Sequence, residues 1–191
     1  MKKRSITIQY NAPVTLSFTL LSLLVLLLAS VTHGWTTHHL FSVYRAPLTD
    51  LLTYPRFFLH VLGHIDYPTC AANLFLILVV GPSAEERFGS GRILLAIVIT
   101  ALVTSLVMWF LFPQSTLMGA SGVVFMLIVL SSFAGARGGV IPLTLLLVLV
   151  LYLGTAIVQA FTGTHDLAQL TQIAGGVVGL VLGIVYARRG R

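Results

Sequence analysis

Apolar residues in this chain fall into long runs separated by short polar breaks. The first run, Val14 to Val31, is long enough to cross a hydrocarbon core of ~30 Å as a helix. A long loop follows, Thr32 to Arg56, rich in aromatic residues and histidine (His33, Trp35, His38, His39, Phe41, Tyr44). Its second half, Val43 to Tyr54, mixes Leu, Tyr, Arg and Asp as a segment lying in the membrane interface does. The pattern predicts a second span from Phe57 to Val80, ended by Gly81-Pro82, and a charged, solvated turn over Glu85–Arg92. A third span runs from Ile93 to Phe112, and a fourth from Gly119 to near Ala134. The fifth is Val140 to Ala160, and after the polar loop Thr162–Asp166 comes a sixth, Leu167 to Tyr186. The expected layout is a short N-terminus (1–13), a six-helix membrane domain (14–186) and a basic tail (187–191). The fold class is all-α, a polytopic membrane bundle.

Composition agrees. Of 191 residues, 57% are hydrophobic and 8% charged, against about 25% charged in a soluble domain, and the mean hydropathy is +1.00. No cleavable signal peptide is expected, because no clean small-residue cleavage site follows the first run. The net charge of +6 does not point to nucleic acid, since the basic residues sit at the ends of apolar runs. They set orientation instead. With the N-terminus inside, Lys2, Lys3, Arg4, Arg87, Arg92, Arg137, Arg188, Arg189 and Arg191 lie on the inner side, and only Arg45 and Arg56 on the outer. This predicts N-in and C-in, and it puts Ser121 and all six histidines toward the outer side. The single Cys70 excludes an internal disulfide and suggests no metal cluster.

Polar side chains inside a span are expensive and are functional candidates by default. His60 and His64 stand at i, i+4, as do Thr69 and Asn73, which predicts a polar stripe along one helix. Ser121 lies between glycines where the loop Phe112–Thr116 turns into the fourth span. Gln172 lies near the start of the sixth, ahead of Gly175, Gly176, Gly179 and Gly183. Those glycines share one face and predict backbone-close packing, with Gly119 and Gly122 of the fourth span as the complementary small face. Ser121, Asn73 and Gln172 would then surround a wet cavity. Each feature also has a plain structural reading: Ser between glycines as a packing motif, Asn73 as interhelical glue, His60 and His64 as interfacial residues.

These motifs together resemble the rhomboid family of intramembrane serine proteases. The resemblance covers nearly the whole chain. It rests on Arg56, Phe58-Leu59-His60, His64 and Asn73; on Gly81-Pro82 and Glu85–Ser90; on Gly119-Ala120-Ser121-Gly122; and on Thr171–Gly179. It implies a six-helix rhomboid-like bundle in which Ser121 is the nucleophile and Asn73 contributes to the oxyanion site. It also implies a base histidine where Gln172 stands and an oxyanion histidine where Thr69 stands. A serine hydroxyl needs a base to take its proton, and a glutamine amide cannot accept it, although it can hydrogen-bond the hydroxyl. His165 precedes Gln172 by seven residues, about 10 Å along a helix at ~1.5 Å per residue, and His64 is not the base in the family.

Two functions follow. One is a pseudoprotease that binds transmembrane segments of client proteins in the bilayer without cutting them. The other is a working intramembrane serine endopeptidase with Ser121 as nucleophile and an unorthodox base. A third, outside the family, is Zn or Cu binding by the outer histidines, which lack the usual Cys and carboxylate companions. No cofactor or metal is implied for a serine mechanism. A bacterial cytoplasmic membrane with the site facing outward fits the charge pattern. Nothing in the sequence sets an oligomeric state.

Overall fold

A computed structural model describes residues 11–133 and 167–189, together with Leu143, Leu146, Leu147 and Val150. Regular structure among the described residues is helical. In order come α1 (Pro13–Val31), α2 (Trp35–Leu40), α3 (Thr53–Leu59), a 3-10 turn (His60–Leu62), α4 (Tyr67–Phe88), α5 (Ser90–Leu111), α6 (Ser121–Ser132) and α7 (Leu167–Arg189). Helices α1, α4 and α5 and the segment Gln169–Arg188 of α7 are long and apolar enough to cross a membrane; α6 is apolar but shorter. The chain is an all-helical polytopic bundle. The expected fifth span falls largely outside the described residues, as does the loop that carries His165.

The second span differs from its sequence reading at both ends. It begins at Tyr67, because Asp66 caps it: the Asp66 side chain accepts from the Thr69 N–H at 2.8 Å, and Pro68 occupies the first turn. His60 and His64 are therefore not on one helix. His60 opens the 3-10 turn, and Gly63 (φ −74°, ψ 144°) breaks it before His64. Nor does Gly81-Pro82 end the span. The helix runs through Pro82 to Phe88 and stops at Gly89, whose φ of +88° suits glycine. Neighbouring helices in a bundle can absorb a proline's missing N–H.

That extension moves Glu85 out of the expected solvated turn. It is 3% exposed and reaches the open N-terminus of α1. Oε1 accepts from the Val14 N–H (2.8 Å); Oε2 accepts from the Thr15 N–H (2.9 Å) and the Thr15 hydroxyl (2.8 Å). The first N–H groups of a helix have no internal partner and carry the positive end of its dipole, so one carboxylate satisfies both needs. Gly81 allows the approach, since a Cβ there would stand 2.7 Å from Thr15.

Helix α6 lies at the centre. Gly122, Val123, Val124, Met126, Leu127, Val129 and Leu130 are all buried, and α7, α4 and α5 pack around them. Its 12 residues span about 18 Å at ~1.5 Å each, short of the ~30 Å core. Its C-terminal Phe133 meets Gly183 of α7, one turn before Tyr186, which packs on Phe88 and Arg92. Ser121, at the other end, therefore starts inside the membrane thickness.

Candidate functional site

Ser121 is the first residue of α6 and is half-buried. The loop that delivers it is pinned at two points. Val43 and Leu117 exchange N–H···O bonds of 2.8 Å each, and the Gly119 N–H donates to the His60 carbonyl at 3.0 Å. Val43, Leu117 and Met108 form a small core beneath this bridge, with Phe57 and Phe112 against it. Irregular backbone at membrane depth survives only under such cover. Gly119 has φ +119°, a conformation that glycine adopts freely.

The glycine face of α7 meets α6 as its spacing predicts. Gly175 lies against the Gly122 carbonyl, Gly176 against the Phe125 ring, Gly179 against the Met126 carbonyl, and Gly183 against Phe133. From the other side, a Cβ on Gly122 would stand 3.1 Å from the Thr171 carbonyl and 3.1 Å from Thr104 Cγ2. The complementary small residue is thus Gly122 alone; Gly119 faces the Gly63 carbonyl instead. Ser121 and Gln172 each adjoin a member of the Gly122–Thr171 contact, and Gln172 is half-buried. Asn73 is buried on α4, a helix that packs on α6. Thr69 is exposed in the first turn of α4.

The two histidines once expected to share a helix face part company. His60 is 1% exposed. Its Nε2 lies 3.2 Å from Thr104 Oγ1 and its Nδ1 3.2 Å from Ser105 Oγ. Thr104 Oγ1 also donates to the Thr100 carbonyl (2.8 Å) and Ser105 Oγ to the Phe57 carbonyl (2.8 Å), so either hydroxyl can accept from the ring N–H, and the other ring nitrogen gains a donor only when the hydroxyl beside it turns from its carbonyl. Burial pushes the His60 pKa down to about 4. His64 is also buried, and burial lowers its pKa too. Its Nδ1 faces the Leu62 carbonyl at 3.2 Å. A carbonyl only accepts, so Nδ1 carries the proton and Nε2 presents a lone pair. That Nε2 has no partner.

A cavity of about 470 Å³ opens where α1 ends, α2 runs and the chain enters α4. Of the residues singled out for the catalytic constellation it takes only His64; Ser121, Asn73, Thr69 and Gln172 do not line it. The wet cavity expected around Ser121 is not the one described here. Of the outer histidines, His33, His38 and His64 line this cavity. His39 stacks on Trp35 at 4.6 Å, His60 turns to α5, and among the described residues no three His, Cys, Asp or Glu side chains form a metal-holding group.

Sequence reasoning missed Glu85 as an anchor, although its place in the motif was visible. It also missed Arg56, which orders the outer loop. Arg56 is 4% exposed, donates to the His39 carbonyl (2.7 Å) and to Asp50 Oδ2 (3.0 Å), and lies 4.7 Å from the Tyr44 ring centroid.

The start of α6 is thus pinned by the loop before it and backed by the glycine face of α7. The Rhomboid domain family model matches residues 52–189, well over half of the chain. The chain belongs to the rhomboid family. It is an integral membrane protein of that family, and the match takes in every helix from α3 to α7. No curated protein matches the sequence.

Proposed function

We propose that this rhomboid-family protein is a pseudoprotease: it binds transmembrane segments of client proteins through the protease scaffold and does not cut them. The observation that carries this reading is Gln172. On α7 it follows Thr171, whose carbonyl approaches Gly122 of α6; the resemblance puts the family's base at this position, and an amide has no proton affinity in the useful pH range. Thr69, where the family places an oxyanion histidine, is exposed at the start of α4. Losing the base of a serine triad leaves only residual catalysis.

The second reading keeps Ser121 as the nucleophile of an active endopeptidase. Its base would then be sought at His64, whose Nε2 has no partner, before His60, whose nitrogens are both engaged. Cleavage of a transmembrane substrate by purified protein in liposomes separates the two. The pseudoprotease reading expects no cleavage by the parent and cleavage by Gln172→His that is lost again in Ser121→Ala/Gln172→His. Parental cleavage that vanishes in Ser121→Ala would overturn it and make His64→Ala the next variant.

We also propose N-in, C-in insertion in a bacterial cytoplasmic membrane. Arg87 and Arg92 flank the junction of α4 and α5, and Arg92 lies 5.5 Å from the Tyr186 ring near the end of α7, so the basic helix ends gather at one end of the bundle. A cysteine at position 188 is expected to resist a membrane-impermeant thiol reagent in intact cells, and one at position 45 to react. The reverse labelling pattern would refute the orientation. Native Cys70 is buried and gives little background.

A further inference from the structure

The end of α4, the start of α5 and the end of α7 meet at one end of the bundle. Phe88, the last residue of α4, packs on Tyr186 of α7 with ring centroids 5.8 Å apart, and both side chains are buried. The Tyr186 hydroxyl donates to the Arg92 carbonyl at 3.2 Å, and the Arg92 guanidinium lies 5.5 Å from the centre of the Tyr186 ring, within cation–π reach. Arg92 is exposed, as are Arg87, just before Phe88, and Arg188, two residues after Tyr186. The turn between Arg87 and Arg92 is open, since a Cβ on Gly89 or Gly91 would meet no other group within 4 Å.

These arginines lack counter-charge. The chain has five acidic residues. Asp50 pairs with Arg56, Asp66 caps the far end of α4, and Asp166 precedes the start of α7. Glu85 is engaged at the start of α1, which leaves exposed Glu86 as the one free carboxylate at this end. Among the described residues Arg87, Arg92 and Arg188 form no ion pair. The neighbouring sequence deepens the imbalance. Lys2, Lys3 and Arg4 precede α1, whose start Glu85 holds at this same end, and Arg189 and Arg191 follow Arg188. Like charges gathered in one place repel, and an anion among them relieves the repulsion.

The position says what carries the anion. Phe88, Ser90 and Arg188 close segments long and apolar enough to cross a membrane, so the arginines stand at the level of phospholipid phosphates. A guanidinium fits a phosphate through two parallel N–H bonds. Within the adjoining turns, Leu94 and Leu95 of α5 and Ile184 and Val185 of α7 are exposed (52%, 51%, 41% and 37%), a flank for acyl chains that a soluble anion would not use. We propose that this end of the bundle is a binding site for an anionic phospholipid, whose phosphate is held by Arg92, fixed over Tyr186, and by Arg87. A zwitterionic lipid would bring its own cation against the same arginines.

The test varies the headgroup and then the arginines. Full-length protein in detergent is titrated with short-chain phosphatidylglycerol, with the matching phosphatidylcholine and with free glycerol phosphate, and bound ligand is counted by native mass spectrometry. Phosphatidylglycerol is expected to bind about tenfold tighter than phosphatidylcholine. Arg92→Gln and Arg87→Gln should each weaken it about fivefold, the worth of one basic residue at a membrane surface. Arg45→Gln removes the same charge from the exposed loop between α2 and α3 and should change binding less than twofold. Both arginine side chains are exposed, and the Tyr186 bond goes to the backbone of Arg92, so the variants should fold. Equal binding of the two lipids would overturn the site. An Arg45→Gln loss as large as that of Arg92→Gln would overturn it too, leaving only general charge attraction. Glycerol phosphate binding as tightly as the lipid would overturn the lipid as occupant.

Discussion

His60 is the clearest case of a residue whose chemistry is set by its neighbours. Its ring is closed in by α5, with a hydroxyl 3.2 Å from each nitrogen, and burial holds its pKa near 4, against 6.5 for a free histidine. Unfolded protein therefore takes up a proton that folded protein refuses. The stability that follows is fully present above pH 6.5 and is lost as the pH falls from 6.5 to about 4, amounting to roughly 3 kcal/mol. His64, also lowered by burial, acts in the same direction. Thermal unfolding in detergent should show a melting temperature that drops over this window, and His60→Gln should flatten the dependence while lowering stability at pH 7. A pH profile unchanged by that substitution would refute the assignment. Such a role was not legible in the sequence. The i, i+4 spacing of His60 and His64 reads as one helix face, and only the break at Gly63, tucked under the Phe41 carbonyl, turns the rings apart.

At the scale of elements, the seam between α6 and α7 was the most legible feature. Glycines at three- and four-residue spacing predict close approach, and four of them on α7 meet α6. The partner was harder to assign, because Gly119 and Gly122 look alike in sequence. The positive φ of Gly119 belongs to the loop before α6, and only Gly122 lies on the helix. Gly175→Ala should destabilise the protein by more than the ~1–3 kcal/mol of ordinary overpacking, since its Cβ would meet backbone. Gly91→Ala, with nothing within 4 Å of its Cβ, should fall within about 0.5 kcal/mol of the parent. Denaturation of both variants beside the parent gives the comparison, and equal costs would show that the seam is looser than described.

At the scale of the whole molecule, Glu85 ties the first span to the second by three hydrogen bonds. Bonds to charged groups are worth about 1.5–3 kcal/mol each, partly recovered when water or the freed N–H groups find other partners. Glu85→Ala should cost about 3 kcal/mol and speed amide exchange at Val14 and Thr15 more than in α5. Uniform exchange across α1 and α5 would contradict the anchor. The sequence by itself determined the class of molecule, because span length and charge placement follow from the bilayer and need no tertiary knowledge. It also determined the family, because the motifs carry it in order, and the α6–α7 seam, because small residues at helical spacing have one physical use in a membrane. Tertiary structure alone decided where the second span begins and ends. Capping by Asp66 and the reach of Glu85 to α1 outweigh the local stop signal of Gly81-Pro82. It alone decided which histidines are enclosed and which atoms stay unsatisfied. Those outcomes depend on groups far apart in the chain, whose meeting no local pattern encodes.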